Sequence, residues 1–323
     1  MKVFLTGGSG FVGGAVARSF RHRHSIRALS RSEASDAELK ALGADPVRGD
    51  LETVSADMLA GCDAVIHAAA FVEEWGPVAL YEAINVTGTE RLLKAAKAAG
   101  VRRFVHVGTE AALFHGQAMR NIDETYPLAP HSPFPYSSTK ARAEMAVRAA
   151  NDPQGGFETI VIRPRLIWGE GDKTVAPVVK KMAQAGKFAW IDGGRALTST
   201  THIDNLVSAL NLALTRGKSG EAYFVVDGAP VVFRDFLKPY LRSAGVELGE
   251  KSMPGWLVRL IANASEPLFR LMDSKTPPPV TRFTAHILSR DCTISDARAR
   301  ADLGYRPPIT FEEGLARLAG QRL

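Results

Sequence analysis

The stretch Thr6-Gly7-Gly8-Ser9-Gly10-Phe11-Val12-Gly13 restricts the fold of this chain more than any other. It joins a short run, Lys2 to Thr6, that reads as a buried strand to an amphipathic run, Phe11 to Arg21, that reads as a helix. Glycines at such a junction permit a sharp turn, let the backbone approach a ligand closely and pack helix tightly on strand. The helix start then offers free N–H groups and a positive dipole end to a phosphate. Two registers fit: Gly8, Gly10 and Gly13 spaced as GxGxxG, or Gly7, Gly10 and Gly13 spaced as GxxGxxG. Either way, Gly7, Gly8, Ser9, Gly10, Phe11, Val12 and Gly13 are expected to surround the pyrophosphate of a dinucleotide.

The alternation of short apolar runs and helical patterns continues. Strands are expected at Ser25 to Ser30, Pro46 to Asp50, Ala64 to Ala68 and Arg103 to Val107. Helices are expected at Ala34 to Leu42, closed by Gly43, and at Tyr81 to Ala99, closed by Gly100. Short, nearly uncharged strands joined by helices are parallel and covered on both faces. Right-handed crossovers then give an α/β fold, a Rossmann-type doubly wound sheet. With 46% hydrophobic and 23% charged residues, the chain has the composition to bury such a sheet.

Beyond Pro164 the pattern loosens, with a helix near Val175 to Ala185 and a helix–strand pair from Asn205 to Val226. The expected division is a dinucleotide-binding domain, 1–164, and a smaller C-terminal substrate lobe, 165–323, from which about 200–228 return to the sheet. Pro254, Pro267 and Pro277-Pro278-Pro279 mark the lobe as irregular.

The second strand ends in Leu29-Ser30-Arg31, where an NAD site carries an acid for the ribose hydroxyls. Arg31 instead suits a 2′-phosphate, which a guanidinium pairs in bidentate fashion, so NADP(H) is expected over NAD(H). Asp50-Leu51, ending the third strand, is placed to reach the adenine. The formal charge of +6, from 40 basic and 34 acidic residues, favours an anionic ligand. It does not indicate nucleic acid: the densest basic stretch, Arg18 to His24, and the pair Arg298 and Arg300 lie on amphipathic helical patterns.

Two cysteines, Cys62 and Cys292, exclude a disulfide scaffold and a cysteine-based metal cluster. Buried thiols in a reducing compartment and no metal are expected. No run approaches about 20 apolar residues, so neither a membrane span nor a signal peptide is expected, and the location should be cytosolic.

Tyr136-Ser137-Ser138-Thr139-Lys140 places a phenol and an ammonium four residues apart on one helix face, with Pro133 and Pro135 at the helix start. A cation beside a phenol favours the phenolate, bringing its titration down from about 10. Tyr136 can then exchange a proton with a carbonyl or an alcohol.

With these motifs the sequence resembles the extended short-chain dehydrogenase/reductase superfamily, the NAD-dependent epimerase/dehydratase family, over nearly its whole length. TGGSGFVG matches the nucleotide turn and YSSTK the tyrosine–lysine pair. HAAA (His67 to Ala70), Asn85 in INVTGT, IRPRLIWG around Arg163-Pro164, TSTTHIDNL and DLGYRPPITFEEGL match further family segments. The resemblance implies Thr109, Tyr136 and Lys140 as catalytic residues, Thr109 in VHVGTEAALFHG standing where the family has a serine or threonine. It also implies that Tyr136 and Lys140 meet the nicotinamide end, Lys140 at its ribose. Ala68, Ala69, Ala70 and Arg163 join the cofactor contacts.

AAAFVEEWG, PFPYSSTK and IRPRLIWGEGD look most like the 3β-hydroxysteroid dehydrogenase-like group. The implied activity is NADP(H)-dependent interconversion of a secondary alcohol and a ketone on a bulky apolar substrate of hydroxysteroid, sterol-like or 3-oxo acid type. The alternatives are a nucleotide-sugar epimerase or dehydratase, and a non-catalytic NADP-binding redox sensor. Arg31 argues against the epimerase, Glu110-Ala111 gives only half of a dehydratase acid pair, and the Tyr136–Lys140 pair argues against a sensor.

Trp256, Leu257, Leu260, Ile261, Leu268, Phe269, Leu271 and Met272 form an apolar stripe, readable as lobe core, pocket wall or a face lying on a membrane surface. Phe71, Trp75, Phe114, Trp168 and Trp190 are candidates to face the substrate. In the family, helices such as Tyr81 to Ala99 and Tyr136 to Ala150 often form a homodimer.

Overall fold

The computed structural model describes residues 1–319. Seven strands form the main sheet: β1 (Lys2–Thr6), β2 (Ser25–Ser30), β3 (Asp45–Arg48), β4 (Ala64–His67), β5 (Arg103–Val107), β6 (Glu158–Pro164) and β7 (Ala222–Val225). Their order is β7-β6-β5-β4-β1-β2-β3, and every pairing is parallel. This is the Rossmann-type α/β architecture. Its strand order reverses between β1 and β4, and the crevice outside the strand C-termini at such a switch point is where ligands settle.

The helices used below are α1 (Phe11–Phe20), α2 (Glu33–Ala41), α3 (Gly88–Ala98), α4 (Pro135–Ala149), α5 (Ile203–Ala213) and α6 (Gly255–Leu271). The strand period of two divides the core between the two faces of the sheet. Val3 and Leu5 of β1 pack with Val16 of α1, Leu39 of α2 and Leu206 and Leu210 of α5. Phe4, between them in sequence, packs on the other face with Leu92 and Leu93 of α3 and Val147 of α4.

The single helix expected from Tyr81 to Ala99 is instead helical from Val78 to Tyr81, widens to a π-helical turn over Glu82–Thr87 and resumes as α3. Asn85 holds the wide turn in place. Its Oδ1 accepts the Phe71 N–H at 2.7 Å, and its Nδ2 donates to the Phe71 carbonyl and to Thr139 Oγ1, each at 3.2 Å. Strand β3 ends two residues earlier than expected, at Arg48, because Gly49 (φ +152°) turns the backbone out of line.

Outside the main sheet, four short strands pair in the order Val231–Val232, Leu197–Thr198, Cys292–Ile294, Met119–Ile122. Both cysteines are buried and unpaired. The apolar stripe of α6 is not lobe core. Trp256 is 63% and Leu271 85% exposed, with Leu260, Leu268 and Met272 also open. The helix buries a different row, Gly255, Val258, Ala262 and Glu266, at the three- and four-residue steps that define one helical face. Among the described residues no helix is long and apolar enough to cross a membrane.

Candidate active site

The glycine turn lies against the end of β4. Gly7 sits at φ +73°, and a Cβ there would come within 2.7 Å of the Ala69 nitrogen. Gly13 admits no side chain: its Cβ would fall 2.1 Å from the Gly7 carbonyl oxygen. The Gly10 N–H donates to that same oxygen at 2.9 Å. The backbone therefore uses the Gly7, Gly10, Gly13 register, while Gly8 makes room for Leu39 of α2.

Helix α1 starts at Phe11 with no side-chain cap and no acid in its first turn, unlike α2, whose Ser32 accepts from the Ser35 N–H. The first N–H groups of α1 are thus left for an anion, with the dipole adding to the attraction. The cradle fits a dinucleotide diphosphate. Arg31 follows β2 directly, is exposed, and makes no ion pair among the described residues. Asp50 is engaged by its own loop: its Oδ1 accepts from the Glu52 N–H, the Thr53 N–H and Thr53 Oγ1, each at 2.9 Å. Those bonds hold its carboxyl below the usual range. Leu51 is buried against Gly88.

Arg163, expected among the cofactor contacts, is engaged within the protein. Its guanidinium forms a buried two-point pair with Glu144 of α4 and lies over the Phe224 ring. It is the penultimate residue of β6.

Thr109 follows β5, and Tyr136 and Lys140 stand one turn apart on α4. The nearby Thr109 hydroxyl acts to lower the titration of the Tyr136 phenol. This is outweighed: burial first, then the charge of Glu110, holds the phenol above its ordinary 10. The expected lowering of Tyr136 by Lys140 is absent. Lys140 Nζ donates to the Val107 carbonyl at 2.8 Å and stands 3.4 Å from His106 Nε2. Burial lowers the Lys140 ammonium to about 8, with Glu144 opposing.

Beneath these groups runs a buried polar chain. Thr6 Oγ1 is 2.7 Å from His67 Nδ1, and His67 Nε2 is 2.9 Å from Thr89 Oγ1. Thr89 gives its own proton to the Asn85 carbonyl, so His67 carries its proton on Nε2 and accepts from Thr6. Burial, reinforced by Lys140, lowers His67 to about 3 and keeps it neutral. The chain ties the glycine turn to the π-helical turn beside α4.

A second polar group flanks Thr109. Glu110 Oε2 accepts the Thr109 hydroxyl proton at 2.9 Å, and Glu110 Oε1 accepts from Arg165 Nη1 at 2.5 Å. Arg165 Nε reaches Thr198 Oγ1 at 3.0 Å. Sequence reasoning placed no role on Arg165, which lies two residues past Arg163 in the same matched segment.

Of the aromatic candidates, Trp168, Trp190 and Phe114 are packing residues. Trp168 is enclosed by His202, Phe236, Tyr240 and Phe311, Trp190 by Phe188 and Phe233, and Phe114 stacks on Phe134. Trp75 is tied down through Nε1 to the Ser274 carbonyl, and Phe71 meets the edge of Tyr81. The ring beside Tyr136 is Phe283, 5.9 Å away and near-perpendicular. It follows the proline tract in a segment without any motif.

Residues 4–254 match the model of the 3-beta hydroxysteroid dehydrogenase/isomerase family. A 4-hydroxy-2-methyl-3-oxo-4-farnesyl-3,4-dihydroquinoline-1-oxide ketoreductase from Stigmatella aurantiaca is 41% identical over 98% of this chain and 95% of its own. A 2-alkyl-3-oxoalkanoate reductase from Stenotrophomonas maltophilia is 36% identical over 98% of both chains. Among solved structures, the crystal structure of gox2253 superposes with a TM-score of 0.77 at 28% identity, covering 99% of each chain.

Proposed function

Because this chain belongs to the 3-beta hydroxysteroid dehydrogenase/isomerase family, oxidoreductases of CH–OH groups, we propose that it is an NADP(H)-dependent ketoreductase for bulky apolar ketones. The observation that carries this reading is the bond from Lys140 of α4 to the Val107 carbonyl at the end of β5, which brings Tyr136, one turn earlier, and Thr109, two residues on, to the edge of the sheet that carries the glycine turn. A nicotinamide dinucleotide held by the Gly7–Gly13 turn, Arg31 and Lys140 supplies the hydride when bound. Tyr136 gives its phenolic proton to the substrate oxygen, and the Thr109 hydroxyl stabilises charge developing there. Lys140, anchored on the Val107 carbonyl, keeps a cation at the floor of the site.

Reduction is the working direction. The Tyr136 phenol carries its proton at neutral pH, and the names of both relatives are those of reductases. The names of the two relatives, both reductases of apolar oxo compounds, support the substrate class, as does the Phe283 ring beside Tyr136. A cytoplasmic location, favoured by two unpaired thiols, and a homodimer through α3 and α4, where Met145 is exposed, belong to the same reading.

Turnover of NADPH and NADH, followed at about 340 nm against sterol ketones, 3-oxo acids and aromatic ketones, tests the reading. NADPH should be the better donor. Arg31→Ala should raise its KM about 10–100-fold, the range of one charge-assisted pair, and leave the KM for NADH unchanged. A wild-type preference for NADH overturns the role of Arg31.

A further inference from the structure

The reaction just described uses the Thr109 hydroxyl, yet in the structure its proton is committed elsewhere. Thr109 Oγ1 donates to Glu110 Oε2 at 2.9 Å and accepts the Ala111 N–H at 3.1 Å. Glu110 has no freedom to turn away. It is 5% exposed, its other oxygen is held by the equally buried Arg165, and Arg165 is fixed by Thr198. A carboxylate is a stronger acceptor than a ketone oxygen, so Thr109 presents a lone pair, not a proton, to an arriving substrate. A lone pair suits an alcohol, whose O–H donates. A ketone has nothing to give it.

We propose that Glu110 is a positioning residue that holds Thr109 as a hydrogen-bond acceptor, so that the resting site matches the alcohol form of the substrate. The inference rests on the ketoreductase reading. Thr109 turns its proton toward the substrate oxygen while that oxygen gains negative charge. It returns the proton to Glu110 once the oxygen carries one of its own. Glu110 thereby draws the bound equilibrium toward the alcohol, the product of reduction.

Glu110→Gln reverses this arrangement without changing shape. The guanidinium of Arg165 can only donate, so it keeps the amide oxygen on its side. The amide nitrogen then faces Thr109, donates to Oγ1 and sends the threonine proton outward to the substrate.

The test measures equilibrium binding in non-reacting complexes: α-tetralone with the enzyme and NADP⁺, and α-tetralol with the enzyme and NADPH. In Glu110→Gln the ketone should bind about 5-fold tighter and the alcohol about 5-fold weaker, the size of one neutral hydrogen bond each way. Adding Glu110→Gln to Thr109→Val should shift neither. If the unpaired Arg165 prevents folding, Glu110→Leu with Arg165→Met removes both charges of the pair together with the acceptor on Thr109, and should tighten the ketone without tightening the alcohol. Equal changes in both ligands, or none, overturn the role of Glu110. Wild-type enzyme that reduces no ketone overturns instead the reading on which it rests.

Discussion

Tyr136→Phe should reduce ketone turnover about 100-fold or more while the variant binds NADPH as the parent does. The loss follows from removing the group that supplies the proton, since a positioned general acid contributes on the order of 100- to 10,000-fold. The ring itself remains. It packs edge-on to Phe283 at 5.9 Å, and the phenylalanine variant keeps that contact. Nothing in the glycine turn touches the lost oxygen, so dinucleotide affinity and Tm should stay close to those of the parent. Tryptophan or NADPH fluorescence titration together with initial rates separates the two quantities. Retained turnover would remove Tyr136 from the chemistry, and lost binding would make it a structural residue.

Gly13→Ala should be the most damaging single methyl in the molecule. The added Cβ would lie 2.1 Å from the Gly7 carbonyl oxygen and 2.8 Å from the Gly8 Cα. Both neighbours are backbone, so no side chain can rotate away. The turn must open, and with it the spacing between the first N–H groups of α1. Overpacking of this kind costs about 1–3 kcal/mol, and dinucleotide Kd should rise about 10–100-fold. Gly14→Ala is the control one residue on. Its Cβ would meet the Gly8 carbonyl oxygen at 3.5 Å and Leu42 at 3.8 Å, ordinary contacts, and alanine is the better helix former. It should bind NADPH normally with an unchanged or raised Tm. Equal damage from both variants would show that α1 tolerates no methyl at all and that the close approach to Gly7 is not the cause.

The parallel sheet was legible because its signal is local: Phe4, Val65 and Phe104 sit in short apolar runs spaced by helices, and each run became a strand. The glycine register was not. Both spacings share Gly10 and Gly13, and only the approach of Gly13 to the Gly7 carbonyl separates them. The break in the helix before α3 depends on Asn85 bonding to Phe71, fourteen residues upstream in a different element, which no periodicity reports.

The site shows the same division. Thr109, Tyr136 and Lys140 were proposed from the tyrosine–lysine spacing and the family resemblance, but their electrostatics come from groups brought in by the fold. Burial and Glu110 raise the phenol, and the lysine is turned to Val107. The partner of Arg163 was equally out of reach of the sequence: Glu144 lies on α4, nineteen residues earlier. Aromatic residues were the least readable. Trp168 and Phe283 look alike in sequence, yet one is enclosed by four aromatic rings and the other stands beside Tyr136.

The central claim is that a hydride passes from the nicotinamide to a ketone carbon while Tyr136 furnishes the proton. Incubation of the enzyme with NADPH carrying deuterium at the transferred position and a bulky apolar ketone, followed by mass spectrometry of the product, tests it directly. The account predicts one deuterium on the carbinol carbon, stereospecifically placed. An alcohol formed without the label, or no alcohol from any ketone with either NADPH or NADH, would contradict it.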